Sequence, residues 1–263
     1  MATQTNRKFA VITGASSGIG YELAKQCLEH DYEALICAED DGVNAAAAAL
    51  SSIGPPVVAL RADLATYEGC EELIAAVDRP VDALLLNAGV GVGGAFTDTE
   101  LARELRMIAL NCDHTVHVAK GIVPRMVDRK QGHILITGSE VSTSPTPFQA
   151  VYGATKAFVM SFGEALRFEL EDTGVTVTVL QPGATDTRFF ERADLLDTKV
   201  GEAKKDDPAQ VAKQGFDAMI AGKDSVAGGS FKSRMQTLMN ELLPETLKAK
   251  LAGMQTKPGS AKH

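Results

Sequence analysis

Tyr152 and Lys156 stand four residues apart in VYGATKAF, a spacing that places a phenol and an ammonium one turn apart on the same helix face. A free phenol titrates near pH ~10, too high for proton exchange at neutral pH. A fixed cation nearby favours the phenolate and lowers that value, so the pair predicts a general acid or base. Ser139 precedes Tyr152 by thirteen residues. The pair alone is a weak signal, because the same spacing decorates many solvated helices; its weight depends on what else the chain carries.

A second group lies at TGASSGIG, residues 13–20, directly after the apolar run Phe9–Thr13 and opening a helical pattern. Glycines there permit a tight turn and let backbone N–H groups approach a pyrophosphate, while the helix N-terminus behind them favours negative charge. Gly14, Ser16, Ser17, Gly18, Ile19 and Gly20 are the candidate contacts. The spacing is Gly-x3-Gly-x-Gly, which follows the logic of the common dinucleotide fingerprint with different letters. Glu39 lies nineteen residues past Gly20, near the ~20-residue offset at which an acid holds adenosine ribose hydroxyls. Two readings stand for it, that ribose anchor or a solvated helix start within Glu39-Asp40-Asp41. As an anchor it would repel a 2′-phosphate, and neither Ser16 nor Ser17 is basic, so NAD(H) is favoured and NADP(H) is the alternative. Asp63 and Leu64 follow a third apolar run, and Asn87-Ala88-Gly89 a fourth; carboxyl ends of parallel strands are where open α/β sheets hold ligands. Asp63 suits the adenine amino group. Asn87 suits either a cofactor contact or a lock between strands.

The elements that must position these groups alternate along the chain. Strands are predicted at Phe9–Thr13, Glu33–Cys37, Val57–Leu60, Ala83–Asn87, His133–Thr137 and Val175–Leu180, with a weaker one at Ser225–Ala227. Helices are predicted at Ile19–His30, Gly42–Ser51, Tyr67–Val77, Glu100–Val127, Tyr152–Glu171 and Pro208–Ala221. Fully apolar strands such as HILIT suit a parallel sheet covered on both faces. The expected fold class is α/β: a doubly wound, Rossmann-type sheet of about seven strands with helices on both faces. Asp207 before Pro208 marks a helix start, and Thr97–Glu100 offers several caps for another. No repeat divides residues 1–263, so one domain is expected, with a loop at 186–207 and a helical tail from 231. That tail ends in QTKPGSAKH, expected to fray.

These motifs, with Asn111, Ser139 and Pro182-Gly183-x3-Thr187 in the expected order, give the chain a resemblance to the short-chain dehydrogenase/reductase family over residues 8–221. The resemblance implies an alcohol–carbonyl oxidoreductase in which hydride transfer belongs to the nicotinamide. Tyr152 would exchange a proton with the substrate oxygen, and Ser139 would hydrogen-bond that oxygen. Lys156 would lower the Tyr152 pKa and hold the nicotinamide ribose. Asn111 would disturb its helix and hold a water linked to Lys156. Pro182, Gly183 and Thr185 would line the nicotinamide pocket, with Thr187 at its carboxamide. A homodimer or homotetramer through the 100–127 and 152–171 helices is implied. The tail departs from the Asp-Gly-Gly strand of fatty-acid ketoreductases in this family, which sets it against that role and that tetramer; it suits covering the cleft, packing on a partner or lying loosely on the surface. A rival reading is a dinucleotide-sensing regulator without chemistry, although such proteins tend to lose the proton donor.

Composition narrows the field. Apolar residues make up 45% and charged residues 23%, with a net charge of −8, a globular balance without the basic face that nucleic-acid binders need. Cys27, Cys37, Cys70 and Cys112 are too scattered for a zinc site or disulfide framework and read as buried apolar groups. Asp113, His114 and His117 form a conceivable metal face that lacks a third well-placed ligand, so no metal is expected. With no apolar stretch of membrane-span length and no leader pattern, a cytoplasmic protein acting on a small molecule is expected. The cleft is expected from residues 90–96, 140–150 and 184–205, with Val92, Phe96, Val141, Phe148, Phe189 and Phe190 making it apolar and Arg188 or Arg192 facing either an acidic substrate group or water.

Overall fold

The computed structural model describes residues 7–230 and 244–261, so the helix expected at 231–243 lies outside the described residues. Seven strands form one parallel sheet in the order β3-β2-β1-β4-β5-β6-β7. They are β1 (Lys8–Thr13), β2 (Tyr32–Ala38), β3 (Val57–Arg61), β4 (Ala83–Leu86), β5 (Gly132–Thr137), β6 (Val175–Pro182) and β7 (Ser225–Gly228). Every residue of β2 and β4 is buried, as expected of strands covered on both faces. The doubly wound sheet predicted from the alternation is therefore present, and its order reverses between β1 and β4, the crevice where such sheets bind ligands.

Helices α1 (Gly18–Glu29) and α2 (Gly42–Leu50) lie on one face, together with the later helix Pro208–Ile220. The opposite face carries α3 (Tyr67–Ala76), α5 (His114–Asp128) and α6 (Ala150–Glu169). Between α3 and α5 the chain forms α4 (Leu101–Ile108) and then a π-helical turn at Ala109–Asp113. The helix expected over Glu100–Val127 is thus continuous from Leu101 to Asp128 but widens into a π turn around Asn111, the residue anticipated to disturb it. None of the expected caps at Thr97–Glu100 is used: Glu100 precedes α4 without a side-chain cap bond. By contrast, Asp207 accepts from Ala209 N–H at 2.9 Å ahead of Pro208, the predicted start of α9 (Pro208–Ile220).

The excursion after β6 holds two one-turn helices, α7 (Phe189–Arg192) and α8 (Lys199–Glu202). Its base is pinched shut: Thr185 pairs with Asp206, Asp186 N–H donates to Asp206 O at 2.8 Å and Asp206 N–H to Ala184 O at 2.8 Å. The final helix α10 (Glu245–Thr256) packs beside this excursion. The segment expected to fray is bonded instead. Thr256 Oγ1 donates to Pro147 O at 2.7 Å, Gly259 N–H donates to the Asp197 carboxylate at 2.8 Å and Ala261 N–H to Asp197 O at 2.9 Å. The tail braces two loops and contributes none of the cleft lining among the described residues.

Candidate active site

One cleft opens along the carboxyl ends of β1, β2, β4, β5 and β6. Its floor is the β1–α1 turn, where Gly14 (φ 68°) and Gly18 (φ 60°) adopt left-handed backbone that other residues reach at a cost. A Cβ on Gly14 would come within 2.7 Å of Ala88 Cα, and one on Gly20 within 2.2 Å of Gly14 O. Only glycines close this turn. Ser16, Ser17 and Ile19 line the same cleft, as do Glu39, Asp63, Leu64, Ala88, Gly89, Pro182, Gly183, Thr185 and Thr187.

Asn87 also lines the cleft, but its side chain is occupied as a strand lock. Its Nδ2 donates to Thr13 O (3.2 Å) and Gly14 O (3.3 Å), and its Oδ1 accepts from Thr137 Oγ1 (3.1 Å), so three strands are tied at one point. Asp63 is likewise engaged. The Arg106 guanidinium forks onto its carboxylate at 2.9 and 3.0 Å and reaches Glu39 at 2.5 Å. Partial burial pushes the Asp63 carboxyl up, but the Arg106 hydrogen bonds, the Ala65 N–H and the Arg106 charge outweigh it and hold the group below its ordinary range. Sequence reading did not foresee that a cation from α4 would share the two acids expected at a ribose and an adenine.

Ser139 caps the short 3₁₀ turn Glu140–Thr143; its Oγ accepts from Val141 N–H at 3.3 Å and its N–H donates to Ser142 Oγ at 3.1 Å. Tyr152 and Lys156 project from α6 and both are buried. The Lys156 ammonium donates to Thr137 O at 2.9 Å and lies 5.9 Å from the Tyr152 ring centroid. Burial pushes the Tyr152 phenol up to about 12; a hydrogen bond with Ser139 acts against this and the Glu140 charge adds to it. The expected lowering by Lys156 is therefore absent in this arrangement. Burial likewise pulls Lys156 down to about 8, so lost hydration shifts both members of the pair toward their neutral forms, with Lys156 still mostly an ammonium at neutral pH.

Asn111 stands behind the cleft wall rather than in it. Its Oδ1 accepts from Val90 N–H at 3.0 Å, while its Nδ2 donates to Val90 O at 3.0 Å and to Thr155 Oγ1 at 2.9 Å. Thr155 in turn donates to Tyr152 O at 2.7 Å. The π turn aims the Asn111 amide at the strand β4 exit, so the residue works here as a clamp through its side chain.

The substrate end differs from expectation in its lining. Phe96 is 69% exposed, Phe148 is absent from the cleft surface, and Val92 packs behind Tyr152 with Met107. The walls are Val90, Val141, Phe189, Phe190, Leu195 and Val200, and the Phe189 ring lies 5.2 Å from that of Tyr152. Arg188 reaches Ser17 Oγ at 3.5 Å and Arg192 reaches Asp40 at 3.4 Å, which ties the excursion to the glycine turn and to the end of β2. Two polar groups in the cleft, Glu140 and Gln149, were not singled out from sequence; an acid immediately after the serine of a largely apolar segment was the available signal. All four cysteines are free and buried. His114 Nδ1–H donates to Leu110 O of the preceding π turn at 3.1 Å, and His117 contacts Glu71 at 2.6 Å, so the two histidines serve different partners; no cluster of metal-binding groups occurs among the described residues.

Comparison with known proteins agrees with this geometry. The family model described as short chain dehydrogenase matches residues 8–195. An uncharacterized oxidoreductase of Staphylococcus epidermidis is 32% identical over 205 residues, 76% of this chain and 88% of that protein. The mouse dehydrogenase/reductase SDR family member 7B is 29% identical over 248 residues, 89% of this chain and 77% of that protein. Among solved structures, a short-chain dehydrogenase from Sphingobium yanoikuyae in complex with NADPH superposes with a TM-score of 0.80 at 27% identity, covering 90% of this chain and 96% of that one.

Proposed function

The chain belongs to the short-chain dehydrogenase family, and we propose from that premise that it interconverts an alcohol and a carbonyl compound with Tyr152 as the proton donor and acceptor. The observation that carries this reading is the meeting of Ser139, Tyr152 and Lys156 with the glycine turn along one cleft. The turn fits a dinucleotide, because its left-handed glycines Gly14 and Gly18 line the cleft directly ahead of the N-terminus of α1. A nicotinamide held there would supply the hydride.

The protein's part is to position and to move a proton. A neutral Tyr152 phenol is the form that donates to a carbonyl oxygen as that oxygen gains charge, and the Ser139 hydroxyl is held by its cap geometry to support the same oxygen. Working in reverse as a base, Tyr152 needs a cation closer than Lys156 now lies; release of Lys156 from Thr137 O toward the ribose would provide it. Thr137, Gly138 and Pro182 line the same cleft at the ends of β5 and β6. Asn111 keeps Val90 and the α6 turn in register through Thr155. Glu39 and Asp40 both line the ribose end, which supports NAD(H) over NADP(H); Arg106 is the counterweight and is committed to Glu39 and Asp63. The exposed Leu101, Leu105, Phe158 and Phe168 on the α4 and α6 elements support association of copies through those helices.

The test is Tyr152→Phe. Turnover of a ketone panel should fall by about 10²–10⁴-fold, while cofactor Kd, read by nicotinamide fluorescence, should change by less than about twofold. Turnover retained near the wild-type rate would remove Tyr152 from the chemistry.

A further inference from the structure

The cleft holds one acid that the proposed reaction does not use. Glu140 directly follows Ser139 and lines the cleft with Ser139 and Tyr152, near enough for its charge to act on the Tyr152 phenol. Its carboxyl makes no hydrogen bond or ion pair among the described residues. The cations that line the same cleft are committed elsewhere: Lys156 to Thr137 O, Arg192 to Asp40 and Arg188 toward Ser17. Asp206 lies close enough to act on Glu140 by its charge, and one Asp206 carboxylate oxygen is itself buried without a partner. Among the described residues this corner concentrates negative charge with no cation paired to Glu140; Lys248, which reaches the same turn, donates to Thr143 O at 3.4 Å.

Resting on the reading of Tyr152 as the proton donor, we propose that Glu140 determines specificity, and that the substrate is an alcohol or carbonyl compound bearing a cationic nitrogen, a protonated amine or a quaternary ammonium, near the reacting carbon. A half-buried carboxylate without a partner is unfavourable: burial, with the Asp206 charge second, pushes the Glu140 carboxyl up to about 7. A ligand cation would restore the missing partner. The adjacent Tyr152 and Phe189 rings, 5.2 Å apart, present aromatic surface of the kind that attracts ammonium groups. An anionic substrate meets repulsion at the same place, and a neutral one leaves the acid without compensation. Val90, Val141 and Leu195 supply apolar contact for the rest of the molecule.

The experiment compares a trimethylammonio methyl ketone with its tert-butyl isostere. Both are titrated calorimetrically into the enzyme saturated with oxidised cofactor, so that binding is read without turnover. At about pH 8, where most of the Glu140 acid is ionised, the cationic ketone should bind about tenfold or more tightly than the neutral one. Glu140→Gln should bring the two within about twofold. Equal binding by the wild-type protein, or preference for the neutral ketone, overturns the inference, and that ratio is decisive even should the variant fail to fold. An unchanged cation preference in Glu140→Gln also overturns it, since the preference would then come from another group. Wild-type turnover of the neutral ketone with reduced cofactor, and its loss in Tyr152→Phe, judges the proposed reaction separately.

Discussion

Replacing Asn111 by alanine isolates the clamp behind the cleft. The side chain is 2% exposed and makes three hydrogen bonds, two with the Val90 backbone and one with Thr155, at 2.9–3.0 Å. Each is worth about 1 kcal/mol net, and a dry donor or acceptor left behind costs at least as much. The loss should be about 3 kcal/mol. For a chain of this size about 1 kcal/mol moves Tm by roughly 2–4 °C, so the expected fall is roughly 6–12 °C by circular dichroism. Because Thr155 also holds Tyr152 O, kcat/KM should drop together with stability. Asn111→Asp retains the acceptor for Val90 N–H but loses both donations and brings a charge into a dry site, so it should be at least as damaging. A fall of less than about 2 °C in Asn111→Ala, with unchanged kcat/KM, would show that Val90 and Thr155 are held by other contacts.

Further outcomes concern charge. Glu39→Gln removes a like charge from the ribose end and frees part of Arg106, so the NADPH-to-NADH ratio of kcat/KM should rise about tenfold; an unaltered ratio would mean that Glu39 does not face the ribose. His114 is fully buried, and burial, ahead of the opposing Leu110 carbonyl bond, lowers it to about 4 from the 6.5 of a free imidazole. Above pH ~6.5 both folded and unfolded chains carry it neutral, whereas below that the unfolded chain takes up a proton the folded chain refuses. Stability should therefore decline by about 3 kcal/mol in total as pH falls from ~6.5 to ~4. Urea midpoints measured for His114→Gln should lose that share of the decline; identical pH profiles would show that other groups cause it.

Much of this architecture was legible in the chain because short apolar strands and helix-length segments alternate without interruption, and each strand buried on both faces announces itself by composition. The cleft residues were legible for a related reason: they cluster at strand ends, where local sequence fixes position. What escaped was set by distant partners. Nothing near Glu39 or Asp63 in sequence indicates that Arg106 would reach both, since the contact depends on how α4 leaves its strand. The pKa of Tyr152 was misjudged because spacing on a helix reports the nearness of Lys156 but not the dryness around both groups. Phe96 and Phe148 were assigned to the cleft from their neighbourhood in the chain, whereas Phe96 is exposed and Phe148 lies against Gly253 of α10. Asn111 was correctly placed in a disturbed helix, yet its clamp on Val90 required the π turn to be seen.

The pinched base of the excursion between Thr185 and Asp206 has a consequence for how specificity can change. Residues enclosed by those bonds enter and leave the sheet edge at neighbouring points, so insertions or exchanges there need not propagate into β6 or α9. Yet Asp197 inside the enclosure holds Gly259 and Ala261. A transplanted excursion would thus have to travel with its matching C-terminal segment, and the two stretches form one exchangeable cassette although roughly half a hundred residues of chain lie between them.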